Sequence, residues 1–313
     1  MVERVCHGLP ADWLNAWLAA VGAAVLSDAV RLRWTADAIP VAVLSVEGDD
    51  DPVDALARSW PDDERLKRMP IANEWPALGS MERKVPVDLF VERARAVRSH
   101  ADSWTLSSTM TDLHVFERGE VAHAPLDPPG PGTIKWLHHR LLKSHAYIDR
   151  PAERIAATLD GRGQRVVDNG LGFDLTRVTT QADSSRKTVD PVIEVLAFFG
   201  LALLPVRGDG TDQRTSRSRL RSSARQRGWQ STPHRFFEWP VWRQPLDLAG
   251  IDALLDAWPL ARRRQRGDDT AVKEPRYNYE AWNRLGVHAA WRTVGYESRG
   301  SADPTVGYGS ERL

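Results

Sequence analysis

The segment PVIEVLAFFGLALL at 191–204 constrains this chain more than any other stretch. It is apolar almost all round, so as a helix it has no face to turn to water and must be covered on every side. It carries one acid, Glu194, and is too short to span a bilayer. A chain of 313 residues is long enough to build the core that such a helix demands, as one large domain or as two packed lobes.

The other periodicities are mixed. Residues 11–26 have helical spacing, with Trp13, Trp17 and Val21 on one face and Leu14, Leu18 and Val25 beside them. Segments 86–97, 133–145, 151–159 and 247–258 also read as helices. VRLRW (30–34), IPVAVL (39–44), WTLSST (104–109), DLHVF (112–116), RFFEWPVW (235–242) and GVHAAWRTVGY (286–296) read as strands. PLDPPGPG at 125–132 breaks any regular element, because proline lacks an amide donor and glycine lacks side-chain constraint. The expectation is a mixed α+β fold with an N-terminal lobe at 1–124 and a C-terminal lobe at 133–313, or one continuous domain. LAAVGAAVL (18–26) parallels LAFFGLALL (196–204), and each is later followed by an Arg-to-Trp strand, at 31–34 and 235–239. This is a repeated helix–Gly–strand unit or a chance match in Leu/Ala-rich sequence. The Gly-rich tail GSADPTVGYGSERL is expected on the surface.

The single cysteine, Cys6, excludes a disulfide framework and a cysteine-based zinc site and fits a reducing compartment. No secretory leader or membrane span is apparent, so the expectation is a soluble, cytoplasmic protein. The 13 Trp outnumber the 7 Phe. Such usage points to partly exposed contact surfaces, or to a GC-rich coding bias.

Basic and acidic residues balance at 42 each, yet they are segregated. Residues 47–64 hold Glu47, Asp49, Asp50, Asp51, Asp54, Asp62, Asp63 and Glu64 against one Arg. RTSRSRLRSSARQR at 214–227, inside a loop expected over 207–235, holds Arg214, Arg217, Arg219, Arg221, Arg225 and Arg227 with no acid. Guanidiniums this close repel unless anions compensate them, and arginine forks match phosphate oxygens. Arg262, Arg263, Arg264 and Arg266 form a second basic loop. Lys135, His139 and Lys143 make a four-residue stripe opposite Ile134, Leu137 and Leu141. These are the candidate nucleic-acid contacts. No nucleotide loop, nucleophile elbow or HExxH motif occurs, and GRG (161–163) with NGLG (169–172) lacks nucleotide-loop spacing. No catalytic residue, metal or cofactor is assigned.

From 161 to 206 the order of features resembles CRISPR-associated large-subunit-like proteins of type I-G (formerly I-U) Cascade systems. Gly172, Phe173 and Asp174 match the family's GF-D element. Pro191, Glu194, Leu196, Ala197, Gly200, Leu201 and Pro205 match its apolar helix and exit. The opening helix with Gly22 and the stretch WPVWRQPLDLAG (239–250) are similar too. The resemblance implies a non-catalytic subunit of an RNA-guided surveillance complex, partnered by guide RNA, target DNA, other Cascade-type subunits and a recruited helicase–nuclease. It also implies a part in reading the protospacer-adjacent motif. Two other readings stand beside it. One is a metal-dependent nuclease using the 47–64 acids with His114 or His139. The other is a scaffold whose arginine tract pairs with those acids.

Overall fold

Nine residues at the start of the chain, Val2–Pro10, form a strand (β1) that the sequence pattern does not announce. In the computed structural model, residues 1–71, 84–105, 110–115, 120–123, 134–168, 170–171, 188–204, 229–230, 236–261, 277–295 and 308–313 are described. Helix α1 (Leu14–Leu26) follows β1, then β2 (Val30–Trp34) and β3 (Val41–Val46). β3 lies between β1 and β2 and is antiparallel to both. β1 and β2 therefore run parallel, joined by α1 as a split β-α-β unit. The β1–β3 register slips between Cys6 and Pro10.

Helix α2 (Pro52–Arg58) starts where Asp51 accepts a bond from the Val53 N–H at 2.7 Å, with Pro52 in the first turn. Asp62 does the same for α3 (Asp63–Lys67) through the Arg65 N–H at 2.7 Å. Next come β4 (Lys84–Pro86), α4 (Val87–Ala96), β5 (Met110–Val115) and β6 (Glu120–His123), forming a small sheet in the order β4-β6-β5. Helices α5 (Ile134–His145) and α6 (Pro151–Leu159) lead to the short pair β7 (Val166–Val167) and β8 (Thr188–Val189). The apolar segment is α7 (Pro191–Gly200), capped by Asp190 and extended by a 3-10 turn at Leu201–Leu203. The last third builds a second antiparallel sheet, β12-β11-β10-β9. Its strands are β9 (Trp229–Gln230), β10 (Phe236–Trp242), β11 (Val287–Gly295) and β12 (Tyr308–Arg312). Helices α8 (Leu248–Ala261) and α9 (Tyr279–Arg284) connect β10 to β11.

The mixed α+β expectation holds. One local expectation does not. Trp104 and Thr105 lie in a helical turn, closed by the Thr105 N–H to Asp102 carbonyl bond, not in a strand. The end of the Gly-rich tail is exposed at Glu311 and Arg312, as expected, and also forms the edge strand β12, which pairs with β11 from Trp291↔Arg312 to Gly295↔Tyr308. The breaker at 125–132 lies outside the described residues, and core residues from both sides of it share one hydrophobic cluster.

Every residue of α7 is buried, and its main neighbour is α1. The parallel glycines meet at this crossing. A Cβ on Gly22 would overlap the Leu196 carbonyl oxygen and lie 2.8 Å from the Gly200 nitrogen. One on Gly200 would overlap the Leu18 carbonyl. Positions 18 and 22 of one helix thus meet 196 and 200 of the other reciprocally, which gives the repeated motif a packing role.

Tryptophan joins the two sheets. The Trp17 indole donates to the Pro240 carbonyl (3.0 Å), Trp239 to Ala11 (2.7 Å) and Trp242 to Leu32 (2.9 Å). Trp34 and Trp242 meet edge to face, their ring centres 6.2 Å apart. Among the described residues Trp13, Trp60 and Trp104 are partly buried and Trp17, Trp34, Trp239, Trp242, Trp258, Trp282 and Trp291 are buried, so several of the Trp staple the interior. Buried indoles gain both large apolar area and one directed bond.

Arg65 grips buried Asp102 through two bonds (3.1 and 2.9 Å), and its guanidinium lies 5.3 Å from the Phe199 ring centre. This ties α3 to α7. Arg4 does the same for β1, reaching Asp51 at 3.3 Å and Asp160 at 2.8 Å. Among the described residues no helix is long and apolar enough to cross a membrane.

Cys6 is fully buried in β1, and burial pushes its thiol up to about 12. Thiolate is the reactive form, so the folded chain should not react with Ellman's reagent at pH 8. One equivalent should react once guanidinium is added; fast reaction of the native protein would show that this strand opens.

Candidate functional site

A buried acid in an apolar helix needs partners, and those of Glu194 define a polar centre. Asn15 of α1 donates its side-chain amide to Glu194 Oε1 at 2.6 Å, and the Leu171 N–H donates to Oε2. Gly170, at φ +50°, passes so close that a Cβ there would overlap the carboxyl group. Upstream, Asp168 accepts from the Gly170 N–H at 2.9 Å. Lys143 Nζ on α5 reaches Asp168 Oδ2 at 2.6 Å. That bond holds the Lys143 ammonium above its ordinary range. Three helices thereby grip residues 168–171, the start of the segment that runs on to Gly172, Phe173 and Asp174. Those three residues lie outside the described residues.

Beside this centre, Asp190 accepts from the Thr158 hydroxyl (2.9 Å) and the Val192 N–H (2.9 Å). Burial pushes the Asp190 carboxyl up against the effect of these bonds. Gly163 leaves the space that its oxygen fills. The arrangement is suited to holding backbone in place. Among the described residues no group of three or more His, Cys, Asp or Glu comes together as a metal ion would require.

The expected basic stripe lies on α5. Leu137 and Leu141 are buried as expected, His139 is exposed and Lys135 stands in the first turn. Lys143 is paired with Asp168. His138, adjacent to His139, is turned inward with Nε2 2.8 Å from the Leu66 carbonyl. Asn15, Thr158, Asp168 and Asp190 escape sequence reasoning. Only Glu194, a lone acid in an apolar helix, signals the centre.

The acids at 47–64 have local partners. Glu47 pairs with Arg31, Asp50 with Arg58 (2.6 Å), Asp51 with Arg4, Asp63 with His145 (3.1 Å) and Glu64 with Arg68 (3.3 Å). Asp51 and Asp62 also cap helices.

Arg214, Arg217, Arg219, Arg221, Arg225 and Arg227 lie outside the described residues, as do Arg262, Arg263, Arg264 and Arg266. The described residues nearest to them are these. The first tract ends at Trp229, which sits opposite Phe237 in the β9–β10 register. The second starts directly after Ala261, the last residue of α8; Tyr277, eleven residues past Arg266, donates its hydroxyl to Glu238 at 3.0 Å. Comparison with models of known protein families and with curated proteins finds no match for this chain.

Proposed function

We propose that the chain is a non-catalytic subunit of a type I CRISPR RNA-guided surveillance complex. In this reading it contacts phosphates of guide RNA or target DNA through the Arg214–Arg227 tract. Arg262–Arg266 extend the surface, and His139 with Lys135 adds weaker contacts. Other complex subunits and a recruited helicase–nuclease are its protein partners. The charge pattern supports the reading: six arginines and no acid stand in 214–227, and four more arginines stand in 262–266. The local pairing of the 47–64 acids argues against the scaffold reading, since five of the eight already have a basic partner.

The test is an Arg217→Ala, Arg219→Ala, Arg221→Ala, Arg225→Ala chain in the assembled complex, with binding measured across a salt series. Each arginine–phosphate pair removed should flatten the log–log salt slope by about 0.7 on single strands and about 0.9 on duplex. A total change of about 3 is expected if all four arginines meet phosphates. Unchanged affinity and slope would sink the proposal.

A further inference from the structure

β1 stands at the edge of the first sheet, whose strand order is β1-β3-β2. Its ladder runs to β3, and among the described residues no other element bonds to the backbone of residues 2–9. One row of N–H and C=O groups along the strand is therefore left for a further strand. Helix α6 does not close it. Gly8 aims its Cβ position at the Thr158 carbonyl of α6, on the face that it shares with Arg4 and buried Cys6. Arg4 reaches Asp51 and Asp160 from that same face. α6 thus packs under the strand and not along its edge.

The opposite face carries Glu3, Val5 and His7, all exposed. Val5 is 43% exposed. Native edge strands are guarded by charge, so an exposed β-branched apolar side chain at mid-strand is the exception. Arg33 of β2 fixes the Glu3 carboxylate through bonds of 3.1 and 2.6 Å. Each carboxylate oxygen keeps a further lone pair.

Acid, apolar residue and base, two positions apart, form a pattern that complements itself when the strand is turned antiparallel. Centred on Val5, Val5 meets Val5, and Glu3 of each copy faces His7 of the other. Sliding by two residues sets Arg4 against Arg4 in one direction and Glu3 against Leu9 in the other. Sliding by one sets outer side chains against inner ones. The charge pattern therefore selects one register, and that register has the two-fold symmetry of an isologous interface.

We infer that β1 is a dimerisation edge, at which two copies of this chain pair antiparallel along Glu3–His7 across a two-fold axis at Val5. The two first sheets then continue as one. The interface is independent of the arginine tracts and of the CRISPR reading, and the four-alanine tract variant should dimerise as the parent does.

The test is sedimentation velocity of the full chain over a concentration series. A ladder this short belongs with small, weak interfaces, so the parent should pass reversibly from monomer to dimer in the micromolar range. Val5→Lys changes an exposed position and sets two ammoniums opposite each other, which should weaken the dimer at least about tenfold. His7→Lys and His7→Glu should act in opposite directions, the first tightening the dimer about twofold or more and the second loosening it by a similar factor. Hydrogen exchange gives the position: amides within Val2–His7 should slow as concentration rises, and those of β12, the edge of the second sheet, should not. A parent that stays monomeric would overturn the inference and leave the edge to a strand of another protein. Equal dimerisation of Val5→Lys, or the same shift from both His7 variants, would overturn it as well.

Discussion

A Gly22→Ala chain is expected to unfold at a clearly lower denaturant concentration than the parent. Inside an exposed helix the change would help, since alanine is favoured over glycine by about 1 kcal/mol. Here the new methyl meets backbone, the Leu196 carbonyl and the Gly200 nitrogen, not the mobile end of a side chain. Relief requires α1 and α7 to move apart; α7 is buried throughout and α1 at every position but Val25. Overpacking of a tight core costs about 1–3 kcal/mol and more when backbone must shift. The net loss should therefore be about 2 kcal/mol, a substantial share of the ~5–15 kcal/mol that holds a domain together. Gly200→Ala should behave alike. Gly250→Ala is the control: its Cβ would meet only the Leu246 and Asp247 side chains at 3.1–3.3 Å. Equal losses at Gly22 and Gly250 in urea melts would show that the crossing is not tight.

The second large effect is expected at Glu194. Truncation to alanine strips the partner from the Leu171 N–H and from the Asn15 amide, both buried. Leaving a buried donor without its acceptor costs about 1–3 kcal/mol, so the two together should cost about 2–6 kcal/mol. Glu194→Gln should cost much less. Its carbonyl can still accept one of the two bonds, and Asn15 can turn its oxygen, unpartnered at present, toward the new NH₂ group. Amide hydrogen exchange at Leu171 gives the specific readout: fast in Glu194→Ala, slow in Glu194→Gln. If Leu171 stays protected in the alanine chain, Glu194 does not hold residues 168–171.

The helices were legible because burial imposes a 3.6-residue rhythm that survives without knowledge of neighbours. Segment 151–159 matches its helix to the residue, with Pro151 marking the start. β1 was not legible, since Cys6, Gly8 and Leu9 interrupt its alternation where the register slips. Neither was β12. Its sequence YGSER has weak strand preference and is extended because β11 offers a ladder, an instance of tertiary context overriding propensity. The polar centre was half legible. An acid in PVIEVLAFFG demands a partner, but nothing local names Asn15, 179 residues away. Lys143 looked like one rung of an open basic stripe. Its bond to Asp168 depends on where α5 is docked, which spacing along the helix cannot report.

The tryptophan bonds bear on the order in which this chain can fold. They connect residues 223, 228 and 210 positions apart, and the α1–α7 crossing likewise joins the first tenth of the sequence to its middle. During synthesis α1 emerges early and can pack on β1–β3, yet its other face has no cover until α7 arrives, and the Trp17 indole has no acceptor until Pro240 does. Closing such long loops is entropically slow. The nascent N-terminal third therefore waits with one face of its most apolar helix uncovered, and apolar surface exposed over that interval is prone to aggregation.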